Sequence, residues 1–168
     1  MIIPFTLFAA STKPPPPVWF ALGFPCFFVG MWLLVTFIIS RSGWARFGEA
    51  YPCPERPSGT SYAAPFARFG TAGARYNNVV RAVATEGGLY LRPVIFFRAF
   101  HTPFLLPWSS IKQIDHIDRW FVKGYHLQIQ DPVGSFQIRF KSSIEGELRR
   151  YVPKLLNTPA PSTFPFIK

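Results

Sequence analysis

The chain is poor in charge, and poorest in negative charge. Only 15% of its 168 residues are charged, with eight Asp and Glu against eighteen Lys and Arg, for a net charge of +10. Soluble domains carry about 25% charged residues, so the sequence does not read as an ordinary soluble protein. Cysteine is almost absent. Cys26 lies inside an apolar run and Cys53 outside it, which excludes a disulfide framework and makes the two poor partners for each other. No Gly-rich dinucleotide or phosphate loop, no HExxH and no GxSxG occurs, so nothing signals a nucleotide cofactor, a zinc protease or a serine hydrolase.

What the chain has is apolar and aromatic residues: 49% are hydrophobic and nineteen are Phe. The strongest signal is VWFALGFPCFFVGMWLLVTFIIS, residues 18–40, which contains no charge. As a helix it is about 34 Å long at 1.5 Å per residue, against a bilayer core of about 30 Å. Thirteen of its residues are Leu, Ile, Val or Phe, each favouring insertion by about 0.3–0.6 kcal/mol at a helix centre. It reads as an uncleaved transmembrane helix after a Pro-rich tail, residues 1–17. The apolar core exceeds that of a secretory signal, and SRSGW after it lacks a small-residue cleavage site. Pro25 is expected to kink the helix, which membrane helices tolerate. Lys13 precedes the span, while Arg41, Arg46 and Arg56 follow it. The positive-inside rule therefore puts the C-terminal part in the cytoplasm, with the anchor in the inner (plasma) membrane.

Residues 41–60 read as a juxtamembrane helix and a Pro-rich linker. Trp44, Phe47 and Tyr51 share one helical face. Either that face lies at headgroup depth, with Arg41 and Arg46 reaching phosphates, or it packs on the domain that follows. Pro52, Pro54, Pro57 and Gly59 then punctuate a linker, and the soluble domain is expected from about Ser61.

GLYLRPVIFFRAFHTPFLLPW, residues 88–108, is not a second span. Arg92 and Arg98 each cost about 2.5–3.5 kcal/mol at mid-membrane, and Pro93, Pro103 and Pro107 interrupt a helix. NVVRAVATEGGLYLRPVIFF reads as two strands around TEGG, and PFLLPW as a short edge or bulged strand. SSIKQIDHID fits a strand or a helical turn. YHLQIQ and SFQIRF alternate around DPVG, a hairpin with one wet face carrying His126, Gln128, Gln137 and Arg139. SSIEGELRRYVPKLL, residues 143–156 in its helical part, spaces Ile144, Leu148, Tyr151 and Val152 as an amphipathic helix. Ser142 or Ser143 is placed to cap it. Residues 157–168 read as a disordered tail.

This order of residues, GLYL, FLLPWSSIKQI, YHLQIQD, SFQIRFKS and a final amphipathic helix, resembles a pleckstrin-homology-like (PH/GRAM-like) domain over about residues 75–156. Joined to one anchor, it is similar to small bacterial membrane proteins of that build. The resemblance implies a membrane-anchored α+β fold: a PH-like antiparallel half-barrel over residues 61–156, closed by its C-terminal helix. It implies no particular activity.

No catalytic constellation emerges. His116, beside Asp115 and Asp118, reads as the solvated face of a turn and not as a metal or acid–base site, and Cys53 has no neighbouring His to make it a nucleophile. The expectations are no catalytic residue, no metal and no cofactor. The basic residues form the theme: between Arg68 and Arg98 the only acid is Glu86. The expected role is a non-enzymatic binding or scaffolding module at an anionic membrane surface, contacting headgroups through Arg41, Trp44, Arg46, Phe47, Arg92 and Arg98. The aromatics look like core and membrane positions, so nucleic acid is not the expected partner. Two other roles remain open: an accessory subunit of a membrane complex contacting partners through the transmembrane helix, and, less favoured, a membrane-bound enzyme.

Overall fold

The computed structural model describes residues 17–70, 73–119 and 122–156. Helix α1 spans Val18–Ile39 with Pro25 inside it. The chain divides into two compact units, Met1–Leu33 and Leu34–Lys168. In the first, Trp19, Phe20, Leu22, Phe24, Phe27 and Phe28 all lie exposed. By length and composition this helical region can cross a membrane.

The second unit contains the last turns of α1, a kinked segment at Ser40–Trp44 that is non-helical at Gly43, and α2 at Ala45–Ala50. Seven strands follow: β1 (Ser61–Phe69), β2 (Arg75–Thr85), β3 (Gly88–Pro93), β4 (Phe104–Leu106), β5 (Ile111–Arg119), β6 (Val122–Asp131) and β7 (Gly134–Lys141). They form one antiparallel sheet in the order β4-β3-β2-β1-β7-β6-β5. The first and last positions belong to consecutive strands, joined only by Pro107–Ser110. Laid flat, seven strands would put these edges about 29 Å apart. The connection between Leu106 and Ile111 reaches at most about 17 Å. The sheet must therefore curl, and it does so into a half-barrel. This α+β architecture is compatible with a PH-like fold.

The alternation expected of the hairpin is present. Phe136, Ile138 and Phe140 of β7 and Tyr125, Leu127 and Ile129 of β6 are buried. In SSIKQIDHID the two serines end a 3₁₀ turn, Trp108–Ser110, and the rest is strand β5. β1 bulges at Pro65, where the register with β2 shifts because proline cannot donate to the ladder. β4 is an edge strand, as its prolines suggest, and the chain around Tyr51–Cys53 covers that edge. Leu105 N–H donates to the Tyr51 carbonyl at 3.0 Å, and Cys53 N–H to the Pro103 carbonyl at 3.0 Å.

Each end of the half-barrel is closed differently. At one end Trp44 (0% exposed) and Phe47 (2%) enter the core. Trp44 packs against Phe69, Tyr76 and Phe104, and Phe47 against Phe69, Phe104 and Phe136. These rings are therefore not available to headgroups, which corrects one of the two readings of the 41–60 segment; the aromatic face is apolar because it fills the barrel. The turn that aims them depends on Gly43, whose φ of 153° is unfavourable for other residues, and a Cβ there would lie 2.5 Å from the Phe69 Cβ. The compact unit thus begins well before Ser61. Asp131 ties this end together: it accepts from the Tyr51 hydroxyl at 2.9 and 3.0 Å, the Ser110 hydroxyl at 2.6 Å and the Val133 N–H at 3.1 Å.

At the opposite end lies the C-terminal helical segment, which is broken and not continuous over 143–156. A 3₁₀ turn at Ser142–Ile144 leads into α3 (Glu145–Tyr151), and Pro153 starts a separate turn, α4 (Pro153–Leu156). Proline lacks the N–H that would continue α3. Neither Ser142 nor Ser143 makes a side-chain cap. Ile144 and Leu148 are buried, and Tyr151 stacks on Trp108 at 5.0 Å. The N-terminal tail before residue 17 and the tail 157–168 lie outside the described residues.

Candidate lipid-contact site

The end of the half-barrel closed by Trp44 also receives the last turn of α1, and the β3–β4 connection lies against that turn. The Phe37 and Phe100 rings meet edge to face at 5.4 Å, and the Ser40 hydroxyl donates to the Phe100 carbonyl. The Arg41 guanidinium lies 5.5 Å from the Phe37 ring centroid and 3.5 Å from Glu49, with both charged groups largely exposed. Phe37, Ser40, Arg41, Ala45, Glu49, Phe100 and Thr102 line a shallow groove of about 130 Å³.

The β3–β4 connection is built, not slack. Val94 N–H donates to the Val79 carbonyl at 2.8 Å, and a short 3₁₀ turn follows at Ile95–Phe97. His101 then pins the loop. Its Nδ1 lies 2.8 Å from the Ala99 carbonyl, which can only accept, so Nδ1 carries the proton. Nε2 is left as the acceptor for the Tyr76 hydroxyl at 3.0 Å. Burial holds the His101 pKa below the ordinary histidine value, and the same cause pushes the Tyr76 pKa up. Trp44 Nε1 donates to the Thr102 carbonyl at 2.8 Å, tying the loop to the barrel plug.

Alternation along β3 puts Tyr90 and Arg92 on the face of the sheet away from the core. Arg92 pairs with Arg81 of β2, and Tyr90 with Val83. Tyr90 is buried, and burial raises its pKa. Arg92, Arg98 and Arg56 all act electrostatically on its hydroxyl in the opposing direction. Arg92 is half-buried and its Nε has no hydrogen-bond partner. Among the described residues, none of the three forms an ion pair.

Of the residues singled out in the sequence, Arg92 and Arg98 both bear on Tyr90 and Arg41 lies by the end of α1. Arg46 is exposed on α2. Trp44 and Phe47 are core. The sequence reading missed Arg56, Tyr90 and the exposed apolar residues of the β3–β4 connection. The available signal for the last was Pro93 and Pro103, which bracket VIFFRAFHT and end the ladder on either side.

A second polar group lies on the outer face of β5–β7. Asp115 accepts from Gln113 at 2.6 Å and Gln128 at 3.1 Å, and lies 3.9 Å from His126. His126 was expected on a wet face but is buried beneath its neighbours; burial and the nearby Arg139 hold its pKa down, while Asp115 opposes them. His116 is exposed and packs on Tyr125 at 5.2 Å. Among the described residues no group of three or more His, Cys, Asp or Glu is placed to hold a metal ion. No protein-family model, no curated protein and no solved structure matches this chain.

Proposed function

We propose that the chain is a single-pass anchor carrying a PH-like, non-enzymatic binding module, which holds anionic headgroups at the cytoplasmic leaflet of the inner membrane. The observation that carries this reading is that Arg56, Arg92 and Arg98, none of them in ion-pair contact with a carboxylate, all bear electrostatically on Tyr90. An arginine without a carboxylate partner can give a phosphate bidentate hydrogen bonds. Anchoring by α1 raises the local concentration of lipid, so a weak headgroup contact suffices.

Each basic residue near an anionic surface contributes about 1 kcal/mol. Replacing all three arginines by Gln then weakens vesicle binding on the order of a hundredfold. The test is sedimentation of residues 34–168, the second compact unit, which lacks most of the apolar run, with vesicles of phosphatidylcholine alone or mixed with phosphatidylglycerol. Binding is expected only to the anionic vesicles, falling with salt and in the triple variant. Equal binding to neutral vesicles, or indifference to the three arginines, overturns the reading.

A further inference from the structure

Among the described residues, the large hydrophobic side chains that lie exposed belong to α1, with three exceptions: Ile95 (71%), Phe96 (77%) and Phe100 (52%). All three sit on the β3–β4 connection, and none is needed by the barrel core. We propose that this connection is a second membrane contact: an apolar lip that enters the same leaflet from which α1 emerges. The inference rests on the reading that α1 spans a bilayer.

Four observations carry it. The first is depth. Phe100 packs on Phe37, which is two residues from the end of α1, so whatever medium surrounds the last turn of that helix also surrounds the lip. A 22-residue helix is about 33 Å long and a bilayer core about 30 Å thick, which puts Phe37 at the boundary of the hydrocarbon. The second is rigidity. The tip is held by successive backbone bonds, Phe97 N–H to Val94, Arg98 N–H to Ile95 and His101 N–H to Arg98. The apolar side chains are displayed by a formed turn and do not hide by folding back.

The third is backbone strain. Phe100 has a φ of 63°, a left-handed conformation that bulky residues rarely adopt. Ser40 and Phe37 hold it there, and the result keeps the ring outside the barrel beside α1. The fourth is charge. Arg98 is exposed at the tip of the lip and Arg41 beside it, placed to reach phosphates while the rings lie deeper. A protein partner would cover the apolar patch equally well in principle. Contact with Phe37 on the last turn of α1 and the flanking arginines favour the bilayer.

The test uses the full chain with Cys26→Ser and Cys53→Ser, reconstituted in bilayers of phosphatidylcholine alone and with added phosphatidylglycerol. Phe96→Cys carries an environment-sensitive fluorophore. Glu86→Cys, on the β2–β3 turn at the opposite end of the half-barrel, is the control. Resistance to alkaline carbonate reports insertion of α1 independently. The expected result is that the Phe96 label is quenched by nitroxide lipids and protected from aqueous iodide in both bilayers, while the Glu86 label shows the reverse. Because a neutral bilayer suffices, failure of the headgroup reading leaves this result standing. A Phe96 label open to iodide in both bilayers overturns the proposal. A label shielded from iodide and from lipid quencher also overturns it, since protein then covers the lip.

Discussion

Replacing Trp44 separates a core role from a membrane-surface role. The side chain is fully buried, its ring packs on Phe69, Tyr76, His101 and Phe104, and its N–H satisfies the Thr102 carbonyl. Truncating a buried Trp to Ala costs about 3–5 kcal/mol through lost burial and the cavity left behind. The barrel end cannot collapse easily, because the lining rings also pack on Phe47 and Phe136. Trp44→Phe keeps most of the apolar area but removes the donor to Thr102, for about 1 kcal/mol from the lost hydrogen bond and somewhat more from the smaller ring. With a urea slope of about 1–3 kcal/mol per molar, the Ala variant should unfold at least about 1 M earlier than the parent and the Phe variant between them. The assay is urea unfolding of the full chain in mild detergent, followed by the strand signal in circular dichroism. An Ala variant that unfolds with the parent, yet loses affinity for vesicles, would refute the placement of Trp44 in the core.

Three further outcomes are expected. Gly43→Ala places a Cβ 2.5 Å from the Phe69 Cβ at a positive φ, so it should destabilise the second unit by about 2–3 kcal/mol, read as a fall in melting temperature. His101 and His126 both have lowered pKa values in the folded protein, set chiefly by burial. The unfolded chain therefore binds more protons below the ordinary histidine pKa of about 6.5, and stability should be flat above it and fall as pH drops below it. Denaturation midpoints across that range test this, and a His101→Gln, His126→Gln variant should show a shallower fall; an unchanged slope would show that carboxylates set it. Cys53 is half-buried and its thiol lies 3.4 Å from the Glu55 carbonyl. An impermeant maleimide should label it only after the inner membrane is permeabilised, and labelling of intact cells would place the second unit outside.

The elements legible in the sequence were those whose pattern admits one physical solution. Twenty-odd uncharged apolar residues can form little other than a long apolar helix. The alternation of β6 and β7 around DPVG permits one hairpin register, because a one-residue slip would turn Phe136, Ile138 and Phe140 to water. Where a pattern admits two solutions, the sequence left both open. Trp44, Phe47 and Tyr51 make an aromatic face that reads the same against lipid or against a barrel. What decides between them is Gly43, which breaks the helical path and turns that face inward. The amphipathic spacing of residues 143–156 suggested one helix, but Pro153 divides it, and the spacing is indifferent to that division.

The candidate site was half legible for the same reason. Arg92 and Arg98 stood out because acids are scarce around them, yet charge along a sequence does not say what converges in space. Arg56 bears on Tyr90 as well because the chain after α2 runs back along the edge of β4. That covering segment also keeps β4 from offering an open edge to other strands. The apolar lip was read as the continuation of a strand, since VIFF is a good strand sequence. Pro93 ends the ladder, and residues that would have been strand become surface. In a protein that exposes large hydrophobics otherwise only on α1 among its described residues, that surface needs a partner, and the nearest apolar medium consistent with Phe37 at its side is the one that would surround α1.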